Sequence, residues 1–151
     1  MTLDAETKLA LAGLVHGYAA FVDDRRFDDV VDLFTEDATL WLPTPPDSLE
    51  PNAFHRGHAE IRDAVAAVAA VQRSQHAIVG EVYTRRSGGE AHGRIACIAH
   101  HWSERNGEIT DIAWHMRYDD EYVRSAEEWL FQSRALSIDA IEKRPGRRLR
   151  R

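Results

Sequence analysis

The chain has 151 residues, 44% hydrophobic and 29% charged, with a net charge of −6. That length suits one domain that buries roughly two-thirds of its unfolded surface, and the composition excludes disordered and fibrous classes. No apolar run approaches the roughly 20 residues of a membrane helix, and the N-terminus lacks a basic stretch followed by an apolar block, so a soluble, cytoplasmic protein is expected.

Leu11, Leu14, Val15, Tyr18, Phe21 and Val22 recur at helical spacing, predicting a helix from about Asp4 to Asp24 capped by Thr2 or Asp4. The run Asp23-Asp24-Arg25-Arg26 interrupts the stripe, and Phe27, Val30, Val31 and Phe34 restart it as a second, shorter helix. Ala38–Leu42 predicts a strand stopped by Pro43, Pro45 and Pro46. The Pro-, Asp- and Ser-rich segment from Pro43 to Arg56 reads as a loop, long enough for a lid or rim. Gly57 opens a third helix carrying Ile61, Val65 and Val68, with small alanines that allow close approach to a sheet.

From Gln75 the period changes. Strands are predicted over Gln75–Arg85, Glu90–Ser103, Glu108–Arg124 and Glu128–Ile138. Asn106-Gly107 between two apolar runs is a hairpin signal, because a type I′ turn needs positive φ at both positions. The order points to an α+β fold, a strongly curved antiparallel sheet wrapped around a helix. Residues 1–140 form one domain on this reading. Residues 141–151 form a basic, flexible tail, leaving −12 on residues 1–142. An acidic body repels a phosphate backbone, so no nucleic acid partner is expected. Ala96, Ile98 and His100 share one strand face; Ile95, Cys97, Ala99 and His101 share the other. Apolar residues on both faces predict a homo-oligomer. Cys97, the single cysteine, reads as a buried, inert thiol.

His76 opens an apolar strand in phase with Ile78 and Val82. A hydrogen-bonded core histidine is one reading; a catalytic base paired with an acid from the first helix is the other. An imidazole can take a proton near neutral pH and return it. Asp23 follows Phe21 and Val22, which makes it the inward acid in preference to Asp24. A carboxylate on one ring nitrogen sets the tautomer and steadies the imidazolium. Tyr18 is central in the helix stripe, either as core packing or as a donor to a developing oxyanion. Trp41, Phe54, Trp102, Trp114, Met116 and Tyr118 are candidates for an apolar wall suited to a small, hydrophobic, cyclic substrate.

The stretches YAAFVDDRRFDDVVDLFTEDATL, GHAEIRDAV, SQHAIVG, CIAHHW, RYDDEYV and EEWLFQSR resemble SnoaL-like proteins of the nuclear-transport-factor-2-like superfamily over about residues 5–140. By that resemblance Asp23, His76 and His100 match the aspartate and two histidines of scytalone dehydratases. Asp23 and His76 also resemble the pair of lindane dehydrochlorinases. Tyr18 falls where bile-acid dehydratases and ketosteroid isomerases keep a tyrosine, and Arg134 corresponds to a pocket arginine of the bile-acid enzymes. Val22 stands where the scytalone enzyme has a tyrosine, and the isomerase aspartates have no clear counterpart. Asp23, His76 and His100 would also make a metal-ligand set, but the resembling enzymes use none, so neither metal nor cofactor is expected. The resemblance implies a cone-shaped α+β barrel, a curved antiparallel or mixed sheet wrapped around N-terminal helices and assembled as a dimer or trimer. It also implies a lyase of dehydratase type, or an isomerase, that removes a proton beside a carbonyl. A polyketide-type cyclase and a non-catalytic ligand-binding protein or small oxygenase subunit stand as alternatives.

Overall fold

The computed structural model describes residues 2–151. Helix α1 (Ala5–Asp23) is capped by Asp4, whose carboxylate accepts from the Thr7 N–H at 2.7 Å. Its buried stripe is Leu11, Leu14, Val15, Tyr18, Ala19 and Val22. The helix stops where Arg25 takes a left-handed φ of 61°, and α2 (Phe27–Val31) sets off afresh. There follow β1 (Phe34–Thr44), β2 (Ser48–Arg56), α3 (Gly57–Ala66) with a 3-10 turn at Ala67–Ala70, β3 (Arg73–Ser87), β4 (Glu90–Arg105), β5 (Glu108–Ser125) and β6 (Glu128–Gly146).

Among the described residues these strands make one six-stranded sheet in the order β2-β1-β6-β5-β4-β3. The β1–β6 contact is parallel and the other pairs are antiparallel. Helix α1 packs across β3 and α3 across β1, so the concave face is covered and the convex one is left open. No helix of the described residues is long and apolar enough to cross a membrane.

Two elements differ from the sequence expectation. Pro43–Arg56 is not a loop: Ser48–Arg56 is strand β2, paired with β1 through Trp41↔Phe54 and Leu42↔Ala53. Its edge position tolerates Pro51, because no second neighbour needs that missing N–H. The last strand does not stop at Ile138; it runs to Gly146, with Lys143 opposite Ile112 and Pro145 opposite Thr110. Main-chain pairing along the full length of β5 draws in charged residues that no apolar pattern would select.

A bulge also resets one strand. The β3–β4 register passes from Ile78↔Cys97 to Gly80↔Ala96, leaving Val79 unmatched. His76 and Ile78 therefore face inward, whereas Val82, expected in phase with them, is 55% exposed on the convex side.

Candidate active site

Asp23 is the last residue of α1, and β3 enters the sheet directly beside it. One carboxylate oxygen, Oδ1, lies 2.7 Å from His76 Nδ1; the other accepts the His76 main-chain N–H at 2.8 Å. Oδ1 also accepts from the Ser74 hydroxyl at 2.9 Å. Burial would raise the Asp23 pKa, but the hydrogen bonds and charge of His76, with the Ser74 bond, outweigh it and hold the carboxyl below its ordinary value. Asp23 is thus an anion that only accepts, so Nδ1 carries the proton and Nε2 is the ring nitrogen left for a substrate.

That ring borders a cavity of ≈ 390 Å³ that lies between the helices and the concave sheet and opens to solvent. Its polar lining groups are Tyr18, His76 and His101. The remainder is apolar, including Val22 of α1, Val65 of α3, and Trp114, Met116 and Tyr118 of β5. No carboxylate, ammonium or guanidinium borders it among the described residues. Burial raises the Tyr18 pKa, and the nearby Arg134 charge only partly counters this. The phenol stays protonated and can donate. His101 behaves oppositely. Burial lowers its pKa, and its Nδ1 donates to the Ile112 carbonyl at 2.9 Å. It is a neutral imidazole whose Nε2 can only accept.

The structure thus brings Tyr18, Asp23, His76, Trp114, Met116 and Tyr118 together at one hollow. The other residues singled out in the sequence lie elsewhere. His100 faces the convex side, its Nδ1 2.7 Å from Asp111 and its ring stacked on Trp102 at 5.2 Å. Strand alternation is the reason: His101 shares the concave face with Ala99 and Cys97, and His100 and Trp102 take the other. Trp41 and Phe54 pack against each other with ring centres 4.7 Å apart and planes tilted by 54°, exposed on the convex side of the β1–β2 hairpin; Leu42 and Pro43 line the cavity instead. Arg134 is fully buried behind the wall. Its Nε and Nη2 donate to Asp120 at 2.8 and 2.9 Å, and its guanidinium lies 3.7 Å from the Tyr118 ring centre and 4.4 Å from that of Tyr18.

The sequence reading did not single out Ser74, Arg25 or His101 for the site. For His101 a signal existed. The two-residue turn at Asn106-Gly107 sets Ile112 opposite His101 and Trp114 opposite Ala99, so a wall containing Trp114 already implies His101. The separation of His100 also removes the three-residue metal set. His92, Asp119 and Glu121 do converge within 4.8 Å on the convex face, where His92 pairs with Asp119 and Glu121 with Arg86. Cys97 is buried, and its thiol pKa is pushed up to about 12 by burial, which leaves it inert.

A helix-lined cone holding an acid-backed imidazole in an apolar hollow defines a class of small α+β pocket proteins. Within it, this chain belongs to the SnoaL-like domain family, whose model matches residues 4–135. Among solved structures it is similar to a protein assigned as a scytalone dehydratase from Novosphingobium aromaticivorans: 18% identity, TM-score 0.77, covering 90% of this chain and 86% of that one. A second protein of that species, assigned as an aromatic ring hydroxylase, gives 24% identity, TM-score 0.78 and 96% of both chains. A hexachlorocyclohexane dehydrochlorinase from Novosphingobium barchaimii gives 16%, 0.76, and 97% and 95%. At these identities the likeness is one of fold. A search of curated proteins found no match.

Proposed function

We propose that the chain is a lyase of dehydratase type, or a closely related isomerase, acting on an uncharged, ring-bearing carbonyl compound. The observation that carries this reading is the 2.7 Å contact of Asp23 with His76 Nδ1 at the wall of an apolar cavity. His76 Nε2 takes the proton α to the carbonyl. The electron pair moves onto the carbonyl oxygen, which receives a hydrogen bond from Tyr18, and the imidazolium is steadied by Asp23. In an elimination the enolate collapses and the β-carbon–oxygen bond breaks. The departing hydroxide takes the proton back from His76 and leaves as water, resetting the base. In an isomerisation of a β,γ-unsaturated ketone, His76 instead delivers that proton to the γ-carbon of the dienolate, which moves the double bond into conjugation and resets the base. His101, as an acceptor, would orient a substrate hydroxyl rather than protonate it.

The lining explains the choice of substrate class. With no charge at the wall, an anionic or cationic ligand would be desolvated without compensation, whereas a neutral ring replaces water on apolar surface. Two structural neighbours are named for eliminations, of water and of hydrogen chloride, which supports an elimination as the chemistry. The joining of carboxylate and imidazole also favours an enzyme over a plain binding protein.

The test is NMR-detected exchange of the α-proton, and release of water, across a panel of cyclic β-hydroxyketones. His76→Ala and Asp23→Asn should each lower turnover at least about a hundredfold with circular dichroism unchanged. Wild-type rates in both variants would remove the mechanism.

A further inference from the structure

Helix α1 and strand β3 come from different layers, yet a carboxylate of one must meet an imidazole of the other at hydrogen-bond distance. Two side chains outside the cavity join them. Arg25 Nη1 donates to the Val22 carbonyl at 3.2 Å and to Ser74 Oγ at 2.7 Å, and Nη2 donates to the Val71 carbonyl at 3.1 Å. One guanidinium thereby ties the last turn of α1 to the segment that leads into β3.

The direction of the serine bond follows from proton counting. Arg25 can only donate, so it fills an acceptor position on Ser74 Oγ, and the single hydroxyl proton is free to point at Asp23 Oδ1, 2.9 Å away. A hydroxyl that could swing would offer Asp23 a donor part of the time; this one is set. Arg25 holds this place with a left-handed backbone, φ 61°, which an L-residue adopts only where its surroundings compensate for the strain.

We propose that Arg25 and Ser74 are positioning residues that fix the rotamer of Asp23, so that its carboxylate holds His76 in the Nδ1–H tautomer. The proposal rests on the reading of His76 as base. Other titratable or charged groups around the pair are Tyr18 on α1, which lines the same cavity as His76, Arg73 on β3, Cys97 and His101 on β4, the His101 ring 6.1 Å from that of His76, and Asp111 on β5. None of them bonds an Asp23 oxygen among the described residues. Ser74 is therefore the one side-chain donor besides His76 itself that a substitution can remove.

The experiment uses the full chain without substrate, as Ser74→Ala, Ser74→Thr and Arg25→Lys. Carbon-13 NMR follows the Asp23 carboxyl through acid, and nitrogen-15 NMR of the ring reads the His76 tautomer. Ser74→Ala should move the carboxyl titration upward and populate the Nε2–H form. Ser74→Thr should restore both readings. Arg25→Lys keeps the hydroxyl but loses the fork, and should shift both readings in the same sense as Ser74→Ala. A folded Ser74→Ala or Arg25→Lys protein with both readings at wild-type values overturns the proposal. Neither readout needs turnover, so a failure of the lyase reading would show in the exchange assay and leave these titrations untouched. Where α-proton exchange is detected, Ser74→Ala should lower kcat about tenfold with KM little changed.

Discussion

Asp23 holds its charge against burial because three donors converge on two oxygens, and this has a consequence for stability. Its folded pKa lies below its unfolded value. The contribution is therefore complete above the unfolded pKa of about 3.9 and is lost as pH falls through the folded value. Urea midpoints of wild type and Asp23→Asn should differ most near pH about 6 and converge below pH about 4; a gap that ignores pH would mean that the carboxylate contributes nothing through its charge. The two adjacent histidines make a second comparison. His101→Leu removes an acceptor from the cavity and should lower turnover about tenfold, whereas His100→Leu acts on Asp111 and Trp102 at the convex face and should leave it within about twofold. Of this site, Asp23, His76 and Tyr18 were legible from helix phase and a strand opening. Ser74 and Arg25 were not, since their roles depend on a meeting of α1 with β3 that no local pattern encodes.

At the scale of elements, the β4–β5 hairpin is the part of the chain whose geometry was most fully written in its residues. Asn106 and Gly107 take φ values of 53° and 80°, as the turn demands, and the register then runs unbroken from Arg105↔Glu108 to Glu90↔Val123. That register puts His100 with Ala113 and away from Trp114, so the resemblance that pointed to His100 gives way to His101. Strand β2 and the end of β6 were not legible, because an edge strand with proline and a charged strand end are held by main-chain pairing. Nor was the bulge at Val79, a single unmatched residue with no compositional mark. Farther along the same hairpin Gly93 admits a direct test. A Cβ there would fall 2.8 and 2.9 Å from Tyr122 Cε2 and Cζ and closer still to the hydroxyl, which donates to Asp120 at 2.8 Å. Gly93→Ala must displace a buried ring and should cost about 1–3 kcal/mol by urea unfolding. Gly88→Ala, with open space around it, should cost far less.

Across the whole molecule the sheet order places β6 between β1 and β5, so the middle of the cone is built from residues far apart in sequence. The period change at Gln75 made the α+β class legible; the parallel β1–β6 contact was not, since nothing local tells the last strand which edge to join. At this centre lies a charge pair. Arg134 and Asp120 are both 0% exposed, joined by two bonds, with Tyr122 donating a third to Asp120 and Tyr18, Tyr118 and Phe131 around the guanidinium. Desolvation opposes the Arg134 charge, but Asp120 more than offsets it and raises the arginine pKa. The pair thus sits directly behind the phenol that borders the cavity. Such a pair is weak evidence for stability as a unit, yet breaking it strands a buried ion. Arg134→Met should therefore cost about 3–5 kcal/mol, and Asp120→Leu a similar amount. The double variant should be more stable than either single one, because it leaves no unpaired charge. A double-mutant cycle by urea unfolding measures the coupling; costs that simply add would show that the two charges do not support each other and that the aromatic packing holds this centre unaided.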